Sequence, residues 1–247
     1  MKELPQAPEG GSAFHEAIAK AKAADPISGP AVTLYSPEDY ASMRTFLTDD
    51  GSAGFAIKPD GDIISVFNTV GGPHRRIGPD MIQLAVQMGG RKLDAFDTVL
   101  PDLYSKAGFR AVARTRFSDE FAPEGWDRAA MQRFNKGRPD IVFMVWDPKH
   151  KERYNPGDGR VFASYEDAAA AQAVEADRIW AQEQRAKRKP KKKLADGGRV
   201  KLDSSDRGLH EYLMATVAPP APQRFAMGGA VFPSIVEPRI GALSRRH

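Results

Sequence analysis

The stretch Leu100-Pro101-Asp102-Leu103-Tyr104-Ser105-Lys106-Ala107-Gly108-Phe109 decides how the rest of the chain is read. Pro101 suits a helix start, and Gly108 suits the residue just past a helix end. The spacing predicts a short helix from Pro101 to Lys106 that turns at Gly108 into a strand. A strand before it, Lys92 to Leu100, and one after it, Arg110 to Phe117, are expected to pair beside it.

Working outward, the residues before this stretch alternate between strands and turns. Met43 to Thr48 ends at Asp49-Asp50-Gly51, and Gly54 to Lys58 ends at Pro59-Asp60-Gly61. Both endings have turn chemistry, with Gly where a positive φ is needed. Asp62 to Val70 carries Ile63, Ile64, Val66 and Phe67 and reads as a buried strand. These three form an expected antiparallel meander. A short strand, Val32 to Tyr35, precedes it. Ser36-Pro37-Glu38-Asp39 then opens a helix, with Ser36 as cap, Pro37 in the first turn and acids at the positive end of the dipole. Phe14 to Ala24 is a further helix, read either as a docked element or as a frayed arm.

A Gly-rich basic loop, Gly71-Gly72-Pro73-His74-Arg75-Arg76-Ile77-Gly78-Pro79-Asp80, leads into a helix with Met81, Ile82, Leu84, Ala85 and Met88 at helical spacing. Strand, helix and strand therefore alternate from Asp62 to Leu100, which favours a parallel crossover pair. After Arg110 to Phe117 comes an aromatic loop, Phe121 to Trp126, in which Trp126 is expected to pack in the core. The most apolar strand, Ile141 to Trp146, follows. Ser164 caps a long charged helix from Tyr165 to about Lys189, with Asp167 as its reciprocal partner.

The predicted class is α/β. A mixed central sheet of about six to seven strands is flanked by helices and followed by a long helix and a low-complexity C-terminal tail. The expected division is an N-terminal arm or helix (1–30), the main domain (31–160), a charged helix with a basic end (161–193) and a Gly/Pro-rich tail expected to be flexible (194–247).

Net charge is only +4 over 247 residues, but Arg185, Lys187, Arg188, Lys189, Lys191, Lys192 and Lys193 are crowded together with no acid between them. The run from Arg185 to Lys193 is either a solvated helix end or a contact for nucleic-acid phosphates. The absence of cysteine excludes disulfides, thiolate nucleophiles and Cys-ligated zinc, and the five histidines have no ligand spacing, so no metal site is expected. No window is apolar enough to span a bilayer, and the first twelve residues lack an apolar signal core. A location in the cytoplasm, or in a virion, is expected.

The element order, together with Leu103-Tyr104-x-Lys106-x-Gly108-Phe109, resembles the GNAT superfamily of N-acetyltransferases over roughly Val32 to Asp147. The resemblance implies transfer of an acyl group from acetyl-coenzyme A to an amine substrate, small or on a protein partner. It implies that the fourth strand, here Ile64 to Phe67 with Ser65, Val66 and Phe67, holds the pantetheine arm beside a splayed fifth strand. Gly72, Arg75, Arg76 and Gly78 would wrap the pyrophosphate, since a helix start offers unpaired N–H donors to an anion. Tyr104 would protonate the departing thiolate; read from the residues alone it is equally a core aromatic.

Two residues depart from the family pattern. Asp80 stands where a small residue is usual, and Pro79 removes one N–H from the loop. The general base is open among Glu120, Glu124 and Asp127 after the sixth strand and Asp94 or Asp97 on the fifth, with Glu120 first among them.

The segments Leu194-Ala195-Asp196-Gly197-Gly198-Arg199-Val200 and Phe225-Ala226-Met227-Gly228-Gly229-Ala230-Val231 are similar to Gly-Gly segments of tailed-bacteriophage proteins. That likeness implies an alternative function: a bacteriophage virion or assembly protein using a non-catalytic acetyltransferase-like fold, whose tail orders on a virion partner.

Overall fold

A computed structural model describes residues 1–74 and 76–188. The elements run β1 (Lys2–Glu3), α1 (Pro8–Ala24), α2 (Pro37–Ala41), β2 (Arg44–Leu47), β3 (Ala53–Ile57), β4 (Ile63–Asn68), α3 (Gly78–Gln87), β5 (Lys92–Phe96), α4 (Leu100–Ser105), β6 (Phe109–Thr115), β7 (Ile141–Trp146), β8 (Arg160–Phe162) and α5 (Tyr165–Arg188). All of them, up to Lys187 of α5, belong to one compact unit. The architecture is mixed α/β.

The expected single sheet is instead two four-stranded sheets, β1-β2-β3-β4 and β5-β7-β6-β8. β4 and β5 do not form the parallel pair that the alternating pattern suggested. One isolated parallel bridge, Asp62 with Lys92, joins them at the start of each strand, and the strands part beyond it. Nor do β5 and β6 pair with each other: β7 lies between them and is antiparallel to both. The reason is burial. Ile141, Val142, Phe143, Met144 and Val145 are all buried. A strand apolar on both faces belongs in the middle of a sheet, where both faces are covered. β8 runs parallel to β6 and closes the far side.

Val32 to Tyr35 is not a strand. It follows a 3-10 turn, Gly29–Ala31, onto which Val32 N–H bonds back at Gly29 O, and several of its other backbone groups are taken by side chains rather than by a ladder. Tyr35 N–H donates to the Tyr40 hydroxyl at 3.2 Å, Ser65 Oγ donates to Thr33 O at 3.3 Å, and His15 Nδ1 lies 2.8 Å from Tyr35 O. The outer partner of β2 is instead β1.

Helix starts follow the local chemistry. At α2, Ser36 Oγ accepts from Asp39 N–H at 3.1 Å, and the Asp39 carboxylate accepts from Ser36 N–H at 3.3 Å. At α5, Ser164 Oγ accepts from Asp167 N–H at 3.1 Å. α1 is a docked element: Phe14 and Ile18 are fully buried, and they pack with Tyr40, Leu47, Ile64 and Phe67 on one face of the first sheet. Gly11 makes this approach possible, because a Cβ there would stand 2.1 Å from the carbonyl oxygen of Pro37. The opposite face packs Phe46, Phe55 and Ile63 against Met81, Ile82 and Ala85 of α3 and Leu93 of β5, so one core runs behind the point where the sheets part.

α5 crosses the second sheet. Gln172 is fully buried and donates from Nε2 to the carbonyls of Leu93 at 2.6 Å and Met144 at 2.8 Å. Glu175 accepts from Arg178 at 2.7 Å and from Arg110 of β6. Arg178 and Arg110 lower the Glu175 carboxyl from its ordinary 4.5 to about 2. A carboxylate depressed in this way contributes its full stabilisation above pH 4.5 and loses it as pH falls toward 2. Urea midpoints are expected to fall over that window in the wild type and to fall less in Glu175→Gln.

Arg114 of β6 is buried and ties three strand ends together. Its guanidinium meets Asp97 at 2.8 Å and Asp140 at 3.0 Å. Removing it leaves two partly buried carboxylates facing each other. Arg114→Ala is expected to cost about 3–5 kcal/mol in chemical denaturation, and adding Asp140→Asn to that variant is expected to recover part of the loss.

Candidate functional site

The parting of β4 and β5 opens a cavity of about 360 Å³. Two features of β4 shape it. Between the register pairs Gly54–Phe67 and Ala56–Ile64, β3 advances two residues and β4 three, so β4 carries a bulge. The bulge holds Ser65 at φ 51°, in the left-handed region that few non-Gly residues occupy. An extra residue in a ladder has no partner opposite, and it re-aims the strand locally. The strain is held in place from the α1–α2 side, where Ser65 Oγ lies 2.9 Å from the Tyr40 hydroxyl.

Ser65, Val66, Phe67 and Tyr104 all line this cavity. Phe67 also packs against Phe14 edge-on, and Val66 packs toward the α3 side, so the strand's two faces are covered while its open edge faces the cleft. α4 brings in Tyr104, which is only 6% exposed. Burial, reinforced by the nearby Asp94 carboxylate, pushes its phenol well above the ordinary value of 10. The hydroxyl therefore keeps its proton throughout the neutral and moderately alkaline range.

The loop before α3 lies elsewhere. Gly72, Arg76 and Gly78 are not among the cavity-lining residues, and Arg75 is outside the described residues. Gly72 N–H donates to Thr69 O at 3.0 Å, and a Cβ at Gly72 would stand 2.9 Å from that carbonyl oxygen, so this glycine serves the turn. Arg76 is exposed with φ 65°. Gly78 opens α3, whose N-cap residue, Ile77, provides no side-chain cap. Asp80 is exposed in the first turn, where a carboxylate complements the helix dipole. The first N–H groups of α3 thus have no side-chain cap, and Pro79 contributes none.

The structure does not bring Glu120 to the cavity. It is exposed in the 3-10 turn Asp119–Phe121, and Glu124 and Asp127 are likewise exposed and outside the lining. Asp97 is engaged by Arg114. The β5 carboxylate that does line the cavity is Asp94. The residue type and its strand made Asp94 one candidate among five, but nothing local to β5 says that it borders a cleft. Trp126 packs on Phe96 and Phe117 as expected, and it also lines the cavity.

Neither the scan of family models nor the comparisons with curated proteins and with solved structures returned a match. The site therefore stands on its own geometry. Among the described residues, no helix is long and apolar enough to cross a membrane. Of the basic run, Arg185 and Lys187 are exposed on α5, while Lys189 to Lys193 and the segment 194–247 lie outside the described residues.

Proposed function

We propose that this chain is an N-acyltransferase of the GNAT type, taking an acyl group from acetyl-coenzyme A and passing it to an amine. One observation carries the reading. β4 and β5 meet in a single parallel bridge and then part around a bulged, left-handed Ser65, and Tyr104 lines the same cleft. That combination leaves one edge of β4 without a neighbouring strand and puts a protonated phenol beside it.

The residues present fit the coenzyme in kind. An unpaired strand edge offers alternating N–H and C=O groups that match an amide-bearing arm such as pantetheine. The uncapped start of α3, with Gly78 and the neighbouring Arg76, suits phosphate oxygens. Acetyl-coenzyme A would supply its acyl group as a thioester, so that a C–S bond breaks, a C–N bond forms, the sulfur takes up a proton and the amine gives one up. Within the chain, Tyr104 holds a transferable proton at its phenol oxygen, and Asp94 is the carboxylate of the cleft suited to accept one. Backbone N–H groups near the Ser65 bulge are fixed dipoles of the kind that stabilise developing negative charge.

Calorimetry with acetyl-coenzyme A tests this directly. Saturable binding of one equivalent is expected; absence of heat at millimolar ligand overturns the proposal. Pro79 and Asp80, at the start of α3, favour a second reading in which the same fold serves as a non-catalytic scaffold in a bacteriophage particle. That reading expects no coenzyme binding and co-purification with assembled particles.

A further inference from the structure

The seven cations between Arg185 and Lys193 exceed the chain's net charge of +4, so the remainder of the molecule is net acidic. Attraction of a polyanion is therefore local to the end of α5 rather than spread over the surface. Arg185 and Lys187 stand exposed on α5, and the run continues in sequence with Arg188, Lys189, Lys191, Lys192 and Lys193. Glu183 is the last acid before it and Asp196 the next after it. Cations in the last turn of a helix complement its dipole, but the effect fades within that turn, so it does not call for a run of this length.

A second observation comes from another element. Trp180 of α5 is 39% exposed, and the Arg91 guanidinium, just before β5, lies over its ring at 5.0 Å from the centroid. Arg91 is itself fixed: it donates to Asp60 O at 2.9 Å and pairs with Asp177 at 3.5 Å. The indole is thus backed by a held cation while part of its surface stays in solvent. Lys187 follows Trp180 by seven residues, two helical turns, which puts both on one side of α5 about 10 Å apart along the axis. Neither Trp180, Arg185 nor Lys187 lines the cavity between the sheets.

An aromatic platform beside a line of cations fits a single-stranded nucleic acid: an unpaired base stacks on the ring, and the phosphates meet Arg and Lys. A duplex offers the same phosphates but keeps its bases stacked on one another. An anionic membrane asks for an apolar helix face to bury. Beyond Trp180, the apolar residues of α5 are two alanines, Ala181 and Ala186.

We propose that the end of α5 binds single-stranded nucleic acid, Trp180 stacking on a base and Arg185 and Lys187 taking phosphates. The inference is independent of the acyl-transfer reading, because it uses none of the residues around the cavity.

The test is fluorescence anisotropy on the full chain with a labelled oligo-dT of about twenty nucleotides and a duplex of the same length, beside co-sedimentation with phosphatidylglycerol–phosphatidylcholine vesicles. The single strand is expected to bind about fivefold or more tightly than the duplex. Its affinity is expected to fall about a hundredfold between roughly 50 and 200 mM salt, the loss that about five phosphate contacts give. Trp180→Ala is expected to weaken the single strand about tenfold and the duplex by less than about twofold, with Trp180→Phe restoring most of the loss. The double variant Arg185→Gln/Lys187→Gln is expected to weaken both several-fold and to flatten the salt dependence. These side chains lie outside the contact that Ala176 and Ile179 make with Val145, so the variants keep the packing of α5. No binding at low salt, duplex binding as tight as single-strand binding, affinity unmoved by Trp180→Ala, or vesicle binding without oligonucleotide binding overturns the inference.

Discussion

Tyr104→Phe is expected to lower the acyl-transfer rate by about 10²-fold or more, the usual range for losing a positioned proton donor. The affinity for acetyl-coenzyme A should stay within about twofold, so the loss appears in kcat rather than in KM. The substitution suits the site. Tyr104 is buried among Phe55, Ile82 and Leu93, and a phenylalanine ring fills the same space. Losing one hydroxyl costs about 1 kcal/mol of stability at most, which thermal melting would separate from the catalytic loss. The pH profile gives an independent reading. Burial and Asp94 hold the phenol above 10, so ionisation of Tyr104 should not depress the wild-type rate below pH 10. A variant with undiminished kcat would show that Tyr104 is a packing residue and that the proton comes from water.

Phe14→Ala is expected to destabilise the protein by about 3–5 kcal/mol, the cost of emptying an aromatic site in a packed core. Phe14 is fully buried, with its ring 4.8 Å from Tyr40 and 5.8 Å from Phe67. The effect reaches the cleft. Phe67 lines the cavity, and Tyr40 is hydrogen-bonded to Ser65, so loosening α1 loosens the partners that hold the β4 bulge. Chemical denaturation gives the stability change. Coenzyme affinity measured well below the denaturation midpoint should also fall. A change under 1 kcal/mol would mean that α1 is a detachable arm.

Much of the local structure was legible in the residues. Ser36 with Asp39, Ser164 with Asp167, and the turns at Gly51 and Gly61 announce themselves because each depends on groups a few positions apart. Gly51 and Gly61 adopt φ values of 69° and 81°, as their turns require. The meander β2-β3-β4 follows, since short turns leave antiparallel pairing as the natural outcome. Tyr104 was singled out from its neighbours in sequence, and it lines the cleft with Ser65, Val66 and Phe67.

Other features were hidden for a physical reason. An alternating pattern says which face of a strand is buried but not which strand lies beside it. Competition for the most buried position put β7 between β5 and β6, although β7 lies more than twenty residues further along the chain than either. Asp94 and Glu120 were both carboxylates near a strand. Only the divergence of β4 from β5, and the fold of residues 126–134 over the gap, made one line a cavity and left the other in solvent. Residues 32–35 were β-prone, yet their backbone groups went to Tyr40 and Ser65 once α1 and α2 had docked. The sequence by itself determined the helices, turns and strand faces, because those are settled by contacts within a few residues. The tertiary structure alone decided the order of strands, the opening between the sheets and the set of side chains around it, because those depend on which distant surfaces exclude water together.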